Sequence, residues 1–207
     1  MRSARLRIVA LGDSTTAGTP GFLSPLEAPP DGRGNPESQY AYWMMKAHLE
    51  WTVLNRGING QRSDEILGRF LRDVIQEAAD YVIILAGVND AYAGIALESI
   101  KSNLLGMFQQ AIKAGIVPVA ATVLPFNTAS PSESKAIREL NHWIENTAKD
   151  IGIPFCDTYR AVADPNNPDR LRTSPDGLHP EVSGYRSMAE ALTQVIEEHP
   201  LNRRSSA

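Results

Sequence analysis

Cysteine is nearly absent: the chain of 207 residues holds one, Cys156. A lone cysteine excludes an intrachain disulfide and suits a reducing compartment. Its neighbours Ile153-Pro154-Phe155 read as a strand, so Cys156 is expected to be a buried, inert strand residue. Long apolar runs are missing too. The longest are a few residues, well short of the roughly 20 needed to cross a bilayer. The N-terminus carries Arg2, Arg5 and Arg7 but enters a strand directly. It shows no apolar segment ending in a small-residue cleavage site, so a secretory leader is not expected. The expectation is a cytoplasmic protein, or a secreted one if a leader has been trimmed away.

There is little imbalance of charge either. The net charge is -4, and Lys and Arg form no stripe beyond the short Arg203-Arg204 pair. Nucleic-acid binding therefore has no electrostatic footprint. Of the few histidines, His48, His142 and His199 have no partner at metal-ligand spacing, and no metal site is expected. No Gly-x-x-x-x-Gly-Lys is present, and Gly32-x-Gly34 lacks the third glycine of a dinucleotide fingerprint. No cofactor is called for.

What is present is an ordinary apolar content in a chain long enough for one core. A single domain over residues 1–200 is expected, with residues 201–207 as a polar, frayed tail. Five stretches read as buried parallel strands: Leu6–Leu11, Thr52–Asn55, Tyr81–Ala86, Val117–Thr122 and Pro154–Asp157. Amphipathic helices are expected between and after them, over Tyr40–Glu50, Ser63–Ala79, Ile95–Ala114, Ser132–Asp150 and Glu181–Glu198. Strands alternating with helices imply a parallel, doubly wound sheet covered on both faces. Trp43, Trp51 and Trp143 lie in or beside these helices and are expected in the core. Two Pro-rich loops, Thr19–Ser38 and Thr158–Pro180, leave the carboxyl side of the sheet, where long loops often bind or cover ligands.

Four polar segments follow strands of this one sheet. Gly12-Asp13-Ser14-Thr15 follows the first, and Asn55-Arg56-Gly57-Ile58-Asn59-Gly60 the second. Gly87-Val88-Asn89-Asp90 follows the third, and Asp176-Gly177-Leu178-His179 comes after the fifth, across the long loop. Parallel topology brings all four to the same edge. A serine hydroxyl needs a base, which His179 can supply while Asp176 fixes its tautomer. The backbone N–H groups of Gly57 and Ser14 and the Asn89 amide would suit a developing oxyanion. Each segment alone has a plainer reading. Gly-Asp-Ser-Thr is also a strand-end turn, Asn89-Asp90 a helix cap, and Gly57 and Gly60 turn punctuation. Asp13 and Asp90 are expected to hold loops rather than move protons.

Together the segments resemble the four blocks of the SGNH, or GDSL, hydrolase family. Gly12-Asp13-Ser14, Asn55-x-Gly57-x-x-Gly60, Gly87-x-Asn89-Asp90 and Asp176-x-x-His179 match its blocks in order. Thr15 stands where the family name has leucine. The resemblance implies a flavodoxin-like three-layer α/β/α fold with a five-stranded parallel sheet. It implies Ser14 as nucleophile, His179 as base, Asp176 as its orienter, and Ser14, Gly57 and Asn89 as the oxyanion hole. The implied activity is hydrolysis of a small-molecule carboxylic ester: a lipid, aryl, thio- or acetyl-sugar ester. An acyltransferase using the same site, and a non-catalytic binding module on the same scaffold, are the competing readings. Phe22, Leu23 and Leu26 are read as anchoring their loop to the core rather than meeting an acyl chain.

Overall fold

The computed structural model describes residues 5–201. The expectations for Arg2, for the Arg203-Arg204 pair and for the tail beyond 201 lie outside these residues. Five strands form one sheet: β1 (Leu6–Gly12), β2 (Trp51–Gly57), β3 (Tyr81–Leu85), β4 (Val117–Ala121) and β5 (Phe155–Cys156). Their order is β2-β1-β3-β4-β5, with every pairing parallel. The switch between outward directions falls at β1 and β3, where open α/β sheets bind ligands. Gly12 is in register with Gly57 on one side and Leu85 on the other, so three strands end level.

The period-two pattern of each strand divides the interior into two cores. Val9, Leu11, Val82 and Ile84 face one layer, packed by α3 (Ser63–Gly68), α5 (Leu97–Lys113) and α6 (Pro131–Ile151). Ile8, Ala10, Tyr81, Ile83 and Leu85 face the other, packed by α2 (Tyr40–Ala47) and α8 (Val182–Glu198). Burial on both faces is why these strands read as continuous apolar runs. The result is the three-layer α/β/α fold with a five-stranded parallel sheet.

The helix boundaries have local causes. Ser130 and Glu133 cap α6 reciprocally, Pro131 occupies its first turn, and Gly152 closes it at φ 69°. The α2 helix stops at Ala47, short of the expected Glu50, because His48 turns out to stack on Trp51 at 4.0 Å between ring centroids. The helix expected over Ser63–Ala79 is broken after Gly68, and Leu71–Ile75 winds as a π-helix. Trp51 is buried, but Trp43 and Trp143 are only half-buried at the margins of the two cores, which corrects their placement inside.

The long loops are more ordered than expected. Residues 19–38 contain a two-stranded ladder, Phe22–Leu23 against Arg33–Gly34, and a 3₁₀ turn at Pro36–Ser38. Phe22 is buried, consistent with an anchoring role. Residues 158–180 open with α7 (Thr158–Val162), followed by a second small ladder, Ala163–Asp164 against Asn167–Leu171. Two further short helices stand at strand ends: α1 (Ser14–Ala17) after β1 and α4 (Val88–Tyr92) after β3.

Candidate active site

Ser14 is the first residue of α1, directly past the end of β1. The turn is tight. A Cβ on Gly12 would stand 2.4 Å from the Leu85 carbonyl oxygen and 2.2 Å from Thr16 Oγ1, so only glycine fits there. Asp13 caps α1 by accepting the Thr15 N–H at 2.9 Å. The Asp13 carboxyl is fully buried, and desolvation lifts its pKa to about 7. The Thr15 N–H works against that rise, and the nearby charge of Asp90 adds to it.

Ser14 Oγ lies 2.8 Å from His179 Nε2, and His179 Nδ1 lies 2.7 Å from Asp176 Oδ2. The carboxylate receives the Nδ1 proton, which leaves Nε2 as the acceptor for the serine hydroxyl. The short Asp-x-x-His segment is itself a hydrogen-bonded turn. Asp176 Oδ1 accepts the N–H groups of Leu178 at 2.9 Å and His179 at 2.8 Å. Ser174 Oγ donates to the His179 carbonyl at 2.6 Å and accepts the Gly177 N–H at 2.9 Å. Burial acts to raise the Asp176 pKa, but the His179 bond and the two N–H groups outweigh it. The carboxyl is held below its ordinary value, ionised beside the imidazole.

The donors expected to face an oxyanion divide differently from the sequence reading. The Ser14 N–H sits in the first turn of α1, where helix geometry provides no partner. Asn89 lies in α4, and its Nδ2 donates one hydrogen to the Gln61 carbonyl at 2.9 Å, leaving the second for another acceptor. Gly57 has a different job, and its expectation is corrected. Its N–H donates to Asn55 Oδ1 at 2.9 Å, and a Cβ there would meet Ala17 N at 2.1 Å. It is a packing glycine that lets β2 run against α1. Gly60 instead has φ 74° and open space around it, and its N–H has no acceptor among the described residues. It is placed between Asn59, bonded to Thr19, and Gln61, bonded to Asn89.

Several residues that secure this edge carry no sequence signal of their own. Arg69 is buried and donates to the Gly12 carbonyl at 2.8 Å, the Arg56 carbonyl at 2.9 Å and Gln61 Oε1 at 2.7 Å. Asp73 neutralises it at 2.8 Å. This guanidinium ties together the ends of β1 and β2 and the loop that Asn89 also holds. Asp90 accepts both the N–H and the hydroxyl of Ser63, at 2.8 and 2.6 Å, so it holds a loop as expected. From the 19–38 segment, Ser24 donates to the Gly57 carbonyl at 2.6 Å and Glu27 accepts the Asn59 N–H at 3.0 Å. That segment braces the glycine loop from behind.

Above Ser14 and His179 opens a cavity of about 210 Å³, walled by Val88, Asn89, Tyr92, Phe126 and Leu178. Cys156 is buried in β5, and burial pushes its thiol up to about 12, so it is chemically silent. Among the described residues no group of three or more His, Cys, Asp or Glu is placed to hold a metal, and no helix is long and apolar enough to cross a membrane.

The profile of the GDSL-like Lipase/Acylhydrolase family matches residues 10–187. The lipoprotein YqeF of Bacillus subtilis (strain 168), itself uncharacterized, is 29% identical over 126 residues, 57% of this chain and 48% of its own. The chain thus spans about half the length of that relative. An acetylxylan esterase of Geobacillus stearothermophilus is 24% identical over 158 residues, 70% of this chain and 71% of its own. The crystal structure of a GDSL-like lipase from Bacteroides thetaiotaomicron VPI-5482 superposes with a TM-score of 0.75 at 26% identity, covering 94% of this chain and 89% of the other. With a matching profile over most of its length and the block residues gathered at one sheet edge, the chain belongs to the GDSL-like lipase/acylhydrolase family, whose members are ester-hydrolysing serine enzymes.

Proposed function

We propose that this protein hydrolyses small carboxylic esters through an acyl-enzyme on Ser14. The observation that carries the reading is the continuous line of hydrogen bonds Ser14–His179–Asp176, at 2.8 and 2.7 Å. His179 Nε2 takes the hydroxyl proton as Ser14 Oγ attacks the acyl carbonyl. Asp176 stabilises the imidazolium that forms. The negative charge on the carbonyl oxygen is met by the Ser14 N–H, the second Asn89 hydrogen and the Gly60 N–H, which replaces Gly57 in this role. His179 then protonates the leaving alcohol oxygen. A water, deprotonated by the same imidazole, releases the acid and restores Ser14.

A cavity of about 210 Å³ favours a compact acyl group, and the acetylxylan esterase among the relatives acts on one by its name. The lone buried thiol supports a cytoplasmic location. A lipid-anchored protein like YqeF would instead sediment with membranes when the native host is lysed.

The test is hydrolysis of p-nitrophenyl acetate together with labelling by a fluorophosphonate probe. The wild-type protein is expected to turn over the ester and to label at Ser14, while Ser14→Ala does neither. Equal rates for the two proteins would end the assignment.

A further inference from the structure

The catalytic cavity ends at a wall formed by Tyr92 and Phe126, whose rings meet edge to face at 6.3 Å and 62°. Tyr92 also borders a second cavity of about 400 Å³. Its lining includes the buried Ile100 and Leu140, the more exposed Ile95 and Leu97, and polar residues such as Ser130 and Glu133. Tyr92 is the one residue that lines both cavities. It is also unusual in itself. A large ring at the end of a five-residue helix is 68% exposed, and its hydroxyl has no hydrogen-bond partner among the described residues. Its ring meets the ring of Phe126. The chain after it turns away through Gly94 at φ 68°.

The direction of the substrate follows from the groups around Ser14. The carbonyl oxygen must reach Asn89, and the leaving oxygen must reach His179 Nε2 to be protonated. The acyl chain takes the remaining direction, along the face of α4. Asn89 and Tyr92 are three residues apart on that helix and share a face. An acyl chain held by Asn89 at its carbonyl therefore runs toward Tyr92.

Resting on the hydrolase reading above, we propose that Tyr92 is a specificity-determining partition. It closes the acyl pocket behind a few carbons and shuts a longer apolar chain out of the Ile95–Leu140 groove. Removing the ring joins the two cavities into one continuous acyl channel.

The experiment measures kcat/KM for p-nitrophenyl acetate, butyrate and octanoate with wild type, Tyr92→Ala and Tyr92→Phe. Wild type is expected to decline steeply with chain length. Tyr92→Ala is expected to raise the octanoate-to-acetate ratio by about tenfold or more, the scale set by a few methylenes gaining an apolar wall. Tyr92→Phe keeps the wild-type profile, because the hydroxyl holds nothing. Refilling the groove with Ile95→Trp on the Tyr92→Ala background is expected to restore the short-chain preference. An unchanged ratio in a Tyr92→Ala protein that still labels with fluorophosphonate overturns the partition. So does a shift that appears only when the alcohol is lengthened in a series of alkyl acetates. A wild-type protein that neither labels nor cleaves any of the esters defeats the hydrolase reading, and this inference falls with it.

Discussion

At the scale of single residues, the reactivity proposed for Ser14 rests on groups that reach it from elsewhere. His179 hangs on a turn that Asp176 closes on itself, and Asn89 gives one amide hydrogen to a loop carbonyl, which leaves the other for the proposed oxyanion. Asn89→Ala is expected to lower kcat by about 10²–10³-fold, with KM little changed, because the lost hydrogen bond matures only in the transition state. Steady-state kinetics on a short ester check this, and an unchanged kcat would remove Asn89 from the reaction. The residues that meet here were legible because each follows a strand and carries chemistry its neighbours lack. The glycine proposed to meet the oxyanion was not. Gly57 and Gly60 are equivalent as letters, and only the loop conformation decides which N–H is spent on Asn55 and which is left unpaired. Tyr92 was invisible for a related reason, since nothing in a sequence marks one aromatic residue as a wall between two cavities.

At the scale of elements, the same pair of glycines separates packing from conformation. A methyl on Gly57 would press into the backbone of α1 at Ala17, and neither element can yield without moving Ser14. Gly57→Ala is expected to cost about 1–3 kcal/mol through overpacking, with Tm lower by roughly 3–10 °C. Gly60→Ala meets no neighbour, so it costs about 1–2 kcal/mol of left-handed strain and leaves the packing of α1 intact. Amide hydrogen exchange distinguishes the two, since only Gly57→Ala should loosen the Ala17 amide. Equal protection in both variants would contradict the packing role. The five strands and the long helices α5, α6 and α8 were readable from apolar runs and periodicity, yet α1 and α4 were not. Helices of four and five residues complete too few turns to show a period, and they exist because strand ends and caps hold them. The break after Gly68 was likewise hidden, because Arg69 leaves its helix face to serve the carbonyls of two strands.

At the scale of the whole molecule, burying Asp13 ties stability to pH. Its pKa of about 7 in the folded protein stands far above the ordinary carboxylate value near 3.9. The folded state therefore keeps a proton that the unfolded chain releases between those limits. Its stabilising share is fully present below about pH 4 and is lost as pH rises toward 7. Asp13→Asn keeps the acceptor for Thr15 but cannot ionise. Relative to wild type it is expected to gain a few kcal/mol between pH 4.5 and 7.5, read as diverging urea midpoints. Parallel curves would show that Asp13 does not titrate in this window. The overall architecture was legible because alternating strands and helices admit few arrangements, and the convergence of the site follows from it.

That convergence also has a consequence in time. The hydrogen bond between Ser14 and His179 joins positions 165 residues apart. A chain emerging from the ribosome carries its serine early and its histidine last, with the whole sheet to be built between them. Under the proposed mechanism the nascent protein holds no activated nucleophile, and the appearance of reactivity toward a fluorophosphonate would mark the moment at which the turn bearing His179 docks.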